Sequence, residues 1–158
     1  MRPDLGKLLN VVISFSLSLP RDAASVPVVR RLCKNALDDL GVHHTCVSDI
    51  ELAVTEACTN VLKHAHGTDD IYETTVEIND TDCTIRVIDA GEGFDASRSG
   101  SEEVLGFAES GRGIQLIRAL VDSVEFISRA EEGTVVHLEK HLVLNPNSIL
   151  PRLAHTTV

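Results

Sequence analysis

Two pairs of strand-like segments, each joined by a short polar connection, constrain the fold of this chain more than any other feature. The first pair covers residues 72–78 and 83–88, and the second covers 124–128 and 134–141. The connections are rich in turn-forming residues, with Asn-Asp-Thr-Asp in the first pair and Gly133 in the second. Connections this short join antiparallel neighbours, because a parallel crossover needs about a dozen residues or more. We therefore expect two β-hairpins.

Three further segments have the apolar spacing of helices. The first follows Asp22, a candidate N-cap, and ends before Gly41. The second starts near Ser48, which has capping-box spacing with Glu51, and the third covers about 113–121. These segments predict three helices, two before the first hairpin and one between the hairpins.

A half-buried strand at 11–19, in which apolar residues alternate with serine, precedes the helices. The order of elements leaves only two connections long enough for a parallel crossover. It predicts an α+β fold, a two-layer sandwich with a mixed, mostly antiparallel sheet and helices on one face. At 158 residues the chain has the length of one domain. We expect that domain over 11–142, between a flexible N-terminus at 1–10 and an irregular C-terminal tail at 143–158.

Composition disfavours several classes of function. A net charge of −10 repels a phosphate backbone and an aromatic content of 3% leaves few rings for base stacking, so no direct nucleic-acid contact is expected. No apolar run approaches the roughly 20 residues of a membrane span, and no signal peptide is seen, so we expect a soluble cytoplasmic protein without a membrane partner. Three of the cysteines are expected to be buried, reduced thiols, and the spacing of all four matches no zinc site; they are Cys33, Cys46, Cys58 and Cys83.

One stripe of the second predicted helix carries Glu56, Asn60 and His64, spaced by four residues. A solvated polar stripe is one interpretation. The functional interpretation is more specific, because the amide oxygen of Asn60 suits a hard cation such as magnesium. Glu56, one turn earlier on the same wall, is then placed to accept a proton from an attacking hydroxyl.

Asp89 ends a strand that is predicted to be buried, and Gly91 and Gly93 follow it. A buried carboxylate is costly unless it meets a donor, and the exocyclic amine of adenine is such a donor. The glycines permit close backbone approach or a positive φ. A plain turn remains the alternative, since Asp-x-Gly is common in turns.

The segment Gly111-Arg112-Gly113-Ile114 opens the third predicted helix. Helix N-terminal N–H groups favour phosphate, and Arg112 can add a charge-assisted contact, so the segment is a candidate anion site. A flexible helix start is the alternative. The segment is neither a dinucleotide-binding fingerprint nor a P-loop, because it lacks the third glycine and the Gly-Lys-Ser/Thr ending. The histidines complete no metal tetrad, and no nucleophile elbow supports a hydrolase.

In this order, the segments resemble the motifs of the Bergerat ATP-binding fold shared by gyrase, histidine kinases and MutL. The resemblance covers about residues 11–142. The matching motifs are the N box Glu56-x-x-x-Asn60, the first glycine box Asp89-x-Gly91-x-Gly93, the second glycine box Gly111-x-Gly113 and the pair Gly133-Thr134. Within this fold, the small size and the segment around Glu56 are most similar to the bacterial anti-sigma factor serine kinases.

That resemblance implies an ATP and Mg²⁺ site in which Glu56 is the base, Asn60 binds magnesium, Asp89 reads adenine and Thr134 supports the adenine. It also implies a homodimer that sequesters a sigma factor and phosphorylates a serine or threonine of an anti-anti-sigma partner. The chain departs from well-known members at Glu109, where they carry a basic residue. An acid near a γ-phosphate is unfavourable. A catalytically weak or inactive ATP-binding module that switches partners, or that regulates another signalling protein, therefore remains the alternative.

Overall fold

A five-stranded antiparallel sheet with helices packed on it forms the structure, a computed structural model that describes residues 12–64, 71–90, 111–129 and 133–155. The strands are β1 (Ile13–Pro20), β2 (Ile71–Ile78), β3 (Asp82–Ala90), β4 (Ser123–Arg129) and β5 (Gly133–His141). The helices are α1 (Val26–Asp39), α2 (His44–His64), α3 (Gly111–Leu120) and the short α4 (Leu150–Ala154), and a 3-10 turn, Ala23–Ser25, precedes α1. None of the helices within the described ranges is both long and apolar enough to span a bilayer.

The α+β class and the two hairpins are confirmed, but the predicted mixed sheet is wrong in one respect. The strand order is β1-β2-β3-β5-β4, and each of the four pairs within the described residues is antiparallel. Strands β3 and β4 run in the same direction, as a crossover through α3 requires. The hairpin partner β5 lies between them and pairs with both, so no parallel ladder forms in this part of the chain.

The core lies between the helices and one face of the sheet. Alternate residues of β3 and β5 point into it, including Ile85, Val87, Val136 and Leu138, each at most 2% exposed. Helix α2 faces them with Ala53, Ala57 and Val61, which are fully buried, and it packs against β3, β5, α1 and α3. Burying a side chain such as valine or leucine contributes about 1.5–3 kcal/mol, so this contact fixes α2 firmly on the sheet.

Helix α2 begins at His44, one turn before the capping box predicted at Ser48. The imidazole Nδ1 of His43 accepts the backbone N–H of Thr45 at 3.2 Å, and the His43 carbonyl accepts the N–H of Val47 at 3.1 Å. His43 thus caps the helix, because its ring satisfies one N–H of the first turn that would otherwise lack a partner and its carbonyl accepts the first hydrogen bond of the helix. The prediction missed this because histidine is not among the usual capping residues.

The segment after β5 packs on the turn between α1 and α2 and is not irregular throughout. Leu144 bridges Val42, the backbone N–H of Asn145 donates to the Gly41 carbonyl at 2.8 Å, and Ser148 Oγ donates to the Leu40 carbonyl at 2.6 Å. Leu150 then starts α4 and is fully buried. The prediction of an irregular tail is therefore wrong for α4, whose proline near the first position starts the helix rather than breaking it.

Gly41 is required at that turn, and its replacement gives the first prediction. Its φ is +83°, and an added Cβ would lie 2.7 Å from the Cα of Ser148. We expect Gly41→Ala to lower the free energy of unfolding by at least about 1–2 kcal/mol, the cost of a left-handed non-glycine residue, because the clash adds to it. Urea denaturation measures this change. Asn35→Ala on the exposed side of α1 is the control, and equal stability of both variants would contradict the assignment.

The ion pair between His141 and Asp82 predicts a pH dependence of stability. The hydrogen bond from the imidazole to Asp82 raises the pKa of His141, and the charges of Asp82, Asp122 and Glu139 act in the same direction. Because the protonated form is favoured in the folded state, this contribution is complete below the ordinary pKa of histidine, about 6.5. It is lost as the pH rises through the raised value.

We therefore expect the free energy of unfolding of the wild type to fall more steeply than that of Asp82→Asn as the pH rises above about 6.5. Urea titrations at several pH values measure both slopes. His44→Gln, which removes an exposed histidine elsewhere, is expected to keep the wild-type slope. Parallel curves for the wild type and Asp82→Asn would show that the pair does not contribute.

Candidate functional site

Glu56 and Asn60 lie one turn apart on α2, beside its buried face. Glu56 is half-buried and Asn60 is 4% exposed. The neighbouring hydroxyls of Thr55 and Thr59 donate to carbonyls one turn earlier, at 2.7 and 2.8 Å, so they do not compete for this position. At Glu56 and Asn60 the predicted stripe is thus half-buried to buried and not a fully solvated surface.

The side-chain amide of Asn60 is buried without a complete set of partners. Its Nδ2 makes no hydrogen bond within the described residues. A half-turn of the amide exchanges Nδ2 and Oδ1, so the same position can present an oxygen. A buried polar atom without a partner is costly in a folded protein unless a ligand satisfies it. This arrangement fits the predicted role of Asn60 in holding magnesium.

Asp89 and Thr134 lie side by side on the helix-facing side of the sheet. They are register partners in the β3–β5 pair, and the structure buries both completely. A carboxylate and a hydroxyl next to each other offer acceptor and donor positions to a polar ring edge. The sequence predicted both residues as adenine contacts, and the register places them together.

Arg21 is the residue of this site that the sequence analysis missed. Its Nη2 donates to Oδ1 of Asp89 in a close ion pair, although 68 positions separate the two residues. The side chain of Arg21 is 18% exposed and that of Asp89 is not exposed. The sequence predicts a donor for Asp89 and points to adenine, whereas the structure supplies a donor from within the protein. The available signal was a cation directly after Pro20, at the end of a predicted strand.

The start of α3 lies against the carboxylate of Glu56. A Cβ added to Gly113 would be 3.2 Å from Glu56 Oε2, so glycine makes this approach possible. Helix α3 begins with Gly111 and Arg112. Ile114, which directly follows Gly113, packs against the core. The first turn of a helix carries N–H groups that favour an anion. The structure thus brings the predicted base next to the predicted anion site.

Several predicted residues lie outside what the structure describes. Gly91, Gly93 and Glu109 fall in the range 91–110, and the side chains of His64 and Arg112 are not described. Their roles stay predictions. Within the described ranges no three histidine, cysteine, aspartate or glutamate side chains form a metal cluster. A cation held by Asn60 would take further ligands from phosphate and water, as magnesium commonly does.

The cysteines lie in the hydrophobic core. All four are free and buried, which confirms the predicted reduced thiols. Burial raises the pKa of Cys33 and of Cys58 to about 12. The raised pKa favours the protonated, weakly nucleophilic form of both thiols near neutral pH.

Comparison with known proteins gives a family and a set of relatives. Residues 19–140 match the model of the histidine kinase-like ATPase domain. The chain is 29% identical over 137 residues to the serine-protein kinase RsbW of Halalkalibacterium halodurans, which covers 82% of this chain and 83% of that protein. It is 28% identical over 142 residues to the protein of the same name from Bacillus cereus strain AH820, which covers 80% and 83%. These matches confirm the resemblance predicted from the motifs.

A solved structure shows the same fold. The crystal structure of the RsbU and RsbW domains of Rv1364c from Mycobacterium tuberculosis matches with a TM-score of 0.62 and 21% identity. The match covers 82% of this chain and 32% of that longer chain. It supports the two-layer architecture described above.

The contact between Gly113 and Glu56 gives a prediction that separates position from stability. We expect Gly113→Ala to keep the free energy of unfolding or raise it by up to about 1 kcal/mol, because alanine is the better helix residue. The new Cβ would displace the Glu56 carboxylate by a few tenths of an ångström, since a flexible side chain gives way. Urea denaturation and a crystal structure of the variant measure the two effects. Gln115→Ala on the exposed side of α3 is the control, and a large loss of stability in Gly113→Ala alone would show that the Glu56 side chain cannot give way to the added Cβ.

Proposed function

Because this chain belongs to the histidine kinase-like ATPase domain family, we propose that it is a protein serine/threonine kinase that uses ATP. The observation that carries the proposal is the position of Glu56, whose Oε2 lies 3.2 Å from the place of a Cβ on Gly113 at the start of α3. A base thus lies beside a helix terminus suited to a phosphate. The relatives named serine-protein kinase support the choice of reaction.

Each part of the site takes one role in this reaction. Asp89 and Thr134 bind the adenine, and Asn60 is the residue that holds magnesium. The metal, when bound, neutralises charge on the phosphates. Glu56 orients the hydroxyl of the protein substrate and accepts its proton as the oxygen attacks the γ-phosphorus.

Backbone N–H groups at the start of α3 stabilise the charge of the transferring phosphoryl group. The bond between the γ-phosphorus and the bridging oxygen breaks, ADP leaves, and the phosphoryl group stays on the serine or threonine. The predicted glycines of both boxes, Gly91, Gly93 and Gly111, let the backbone approach the nucleotide, and Arg112 and His64 are the further nucleotide contacts predicted from the sequence.

The proposed biological role follows the resemblance of the N-box segment. The chain acts as a cytoplasmic anti-sigma factor, forms a homodimer, sequesters a sigma factor and phosphorylates a serine or threonine of an anti-anti-sigma partner. A net charge of −10 raises the rate at which the protein meets a basic partner surface and disfavours direct contact with nucleic acid.

A second candidate function is an ATP-dependent partner switch without phosphoryl transfer. Glu109 favours it, because this acidic residue occupies a position where well-known anti-sigma factor serine kinases carry a basic residue. Transfer of ³²P from labelled ATP to any protein partner excludes this candidate. ATP binding and partner release without transfer would favour it over the kinase.

The proposed base gives a direct test of the kinase. We expect Glu56→Gln to lower the rate of phosphoryl transfer by about 10²–10⁴-fold, because the proton acceptor is lost, and to leave ATP affinity nearly unchanged. Transfer of ³²P to an anti-anti-sigma protein from the same host measures the rate, and titration with Mg-ATP measures affinity.

Two further variants complete this test. Glu125→Gln removes an exposed acid of β4 and is expected to act like the wild type. Asn60→Ala is expected to lose the magnesium-dependent part of ATP binding. An equal loss of binding and transfer in Glu56→Gln would remove Glu56 from the role of base and make it a nucleotide ligand.

A further inference from the structure

Arg21 lies in the proposed nucleotide site and has no role in the reaction described above. It directly follows β1, the edge strand, while Asp89 is the last but one residue of β3. The two residues meet because β2 lies between β1 and β3 and the strands are in register, with Pro20 opposite Ile71 and Glu73 opposite Ile88. The ion pair thus joins the sheet edge to the proposed adenine contact.

We propose that Arg21 is a positioning residue that holds Asp89 as an ionised acceptor and thereby selects the 6-amino group of adenine over the 6-oxo group of guanine. This inference rests on the proposed function, since it takes Asp89 as the contact to the base. It assigns nucleotide selectivity to a residue that does not itself touch the nucleotide.

The burial of Asp89 is the first argument. Its side chain has no exposed surface, and an ionised carboxylate removed from water is costly unless a charged partner compensates it. The guanidinium is always protonated in proteins, so Arg21 supplies a permanent positive charge. The pair therefore keeps Asp89 in the ionised form that only accepts hydrogen bonds.

The rigidity of the backbone around Arg21 is the second argument. On one side Pro20 is held in the sheet. On the other side the N–H of Asp22 donates to the Pro20 carbonyl at 2.8 Å, and the Asp22 carboxylate accepts the N–H of Ala24 at 2.8 Å. Ser25 joins the same turn to β2, because its Oγ forms a hydrogen bond of 2.6 Å with the hydroxyl of Tyr72. The guanidinium is thus presented from a fixed turn.

The chemistry of the two purines gives the selectivity. The bond described between Arg21 and Asp89 uses one hydrogen atom of Nη2 and one lone pair of Oδ1, and a carboxylate offers about four acceptor positions. Adenine presents a donor at C6 and guanine presents an acceptor there. An ionised Asp89 matches the first and repels the second, whereas a protonated carboxyl group could donate to the 6-oxo group of guanine.

The test compares ATP and GTP binding to the full-length protein, as the ratio of the two dissociation constants. Arg21→Gln removes the charge but keeps a hydrogen-bond donor, and Arg21→Lys keeps the charge. We expect Arg21→Gln to lower the preference for ATP by about tenfold or more, the effect of one charge-assisted hydrogen bond, and Arg21→Lys to keep it within about threefold. Purine riboside triphosphate lacks the 6-amino group, and its affinity relative to that of ATP should rise in Arg21→Gln by a similar factor.

Arg30→Gln is the matched control. Arg30 forms an ion pair of 3.9 Å with Glu51 between α1 and α2, away from Asp89, so its loss is expected to leave the ratio unchanged. A wild-type ratio of the two dissociation constants in Arg21→Gln would overturn the inference. An equal loss of ATP preference in Arg21→Gln and Arg21→Lys would also overturn it, because the shape of the side chain and not its charge would then determine the preference. If Arg21→Gln does not fold, Arg21→Lys decides, because a ratio more than about threefold below the wild type contradicts the role of charge.

The wild-type protein separates this inference from the proposed function. If it binds neither nucleotide, the proposed kinase fails and the role of Arg21 fails with it. If it binds ATP and GTP equally well, the nucleotide site stands and the selectivity assigned to Arg21 is wrong. If it prefers ATP and keeps that preference in Arg21→Gln, only the inference on Arg21 is overturned.

Discussion

Burial of one face of α2 against β3 and β5 is the interaction on which the site depends. Ala53, Ala57 and Val61 have no exposed surface in that contact, so the helix has no freedom to rotate. Glu56 and Asn60 beside them are fixed as a result, and Glu56 lies where α3 begins. The small side chains bring α2 close to the sheet, so apolar packing sets the geometry of the polar groups.

The buried charge of Asp89 links the sheet to this arrangement. Its carboxylate lies beside Thr134 because β3 and β5 are in register, and Arg21 reaches it from the end of β1. The proposed nucleotide contacts therefore come from strands that are distant in the sequence. The same sheet carries a second pair, His141 with Asp82, at the opposite end of β3 and β5. Titration there acts on stability without touching the proposed reaction.

Much of the fold and part of the site could be predicted from local pattern. Hairpins follow from short polar connections, and the end of α1 follows from Gly41, whose φ is +83°. Spacing by four places Glu56 and Asn60 on one stripe. The start of α2 and the helix α4 were missed, because their first turns depend on His43 and on packing against the α1–α2 turn. Such contacts join residues whose pairing leaves no periodic signal.

By itself, the sequence determined the α+β class, the antiparallel hairpins and the residue types of the proposed nucleotide site, since these depend on spacing along the chain. Only the tertiary structure decided that β5 lies between β3 and β4, that Glu56 meets Gly113, and that Arg21 is the partner of Asp89. The physical reason is that a buried carboxylate is stable only beside a positive charge, which can come from any part of the chain that the fold brings close. Which cation is near depends on the strand order and not on local sequence.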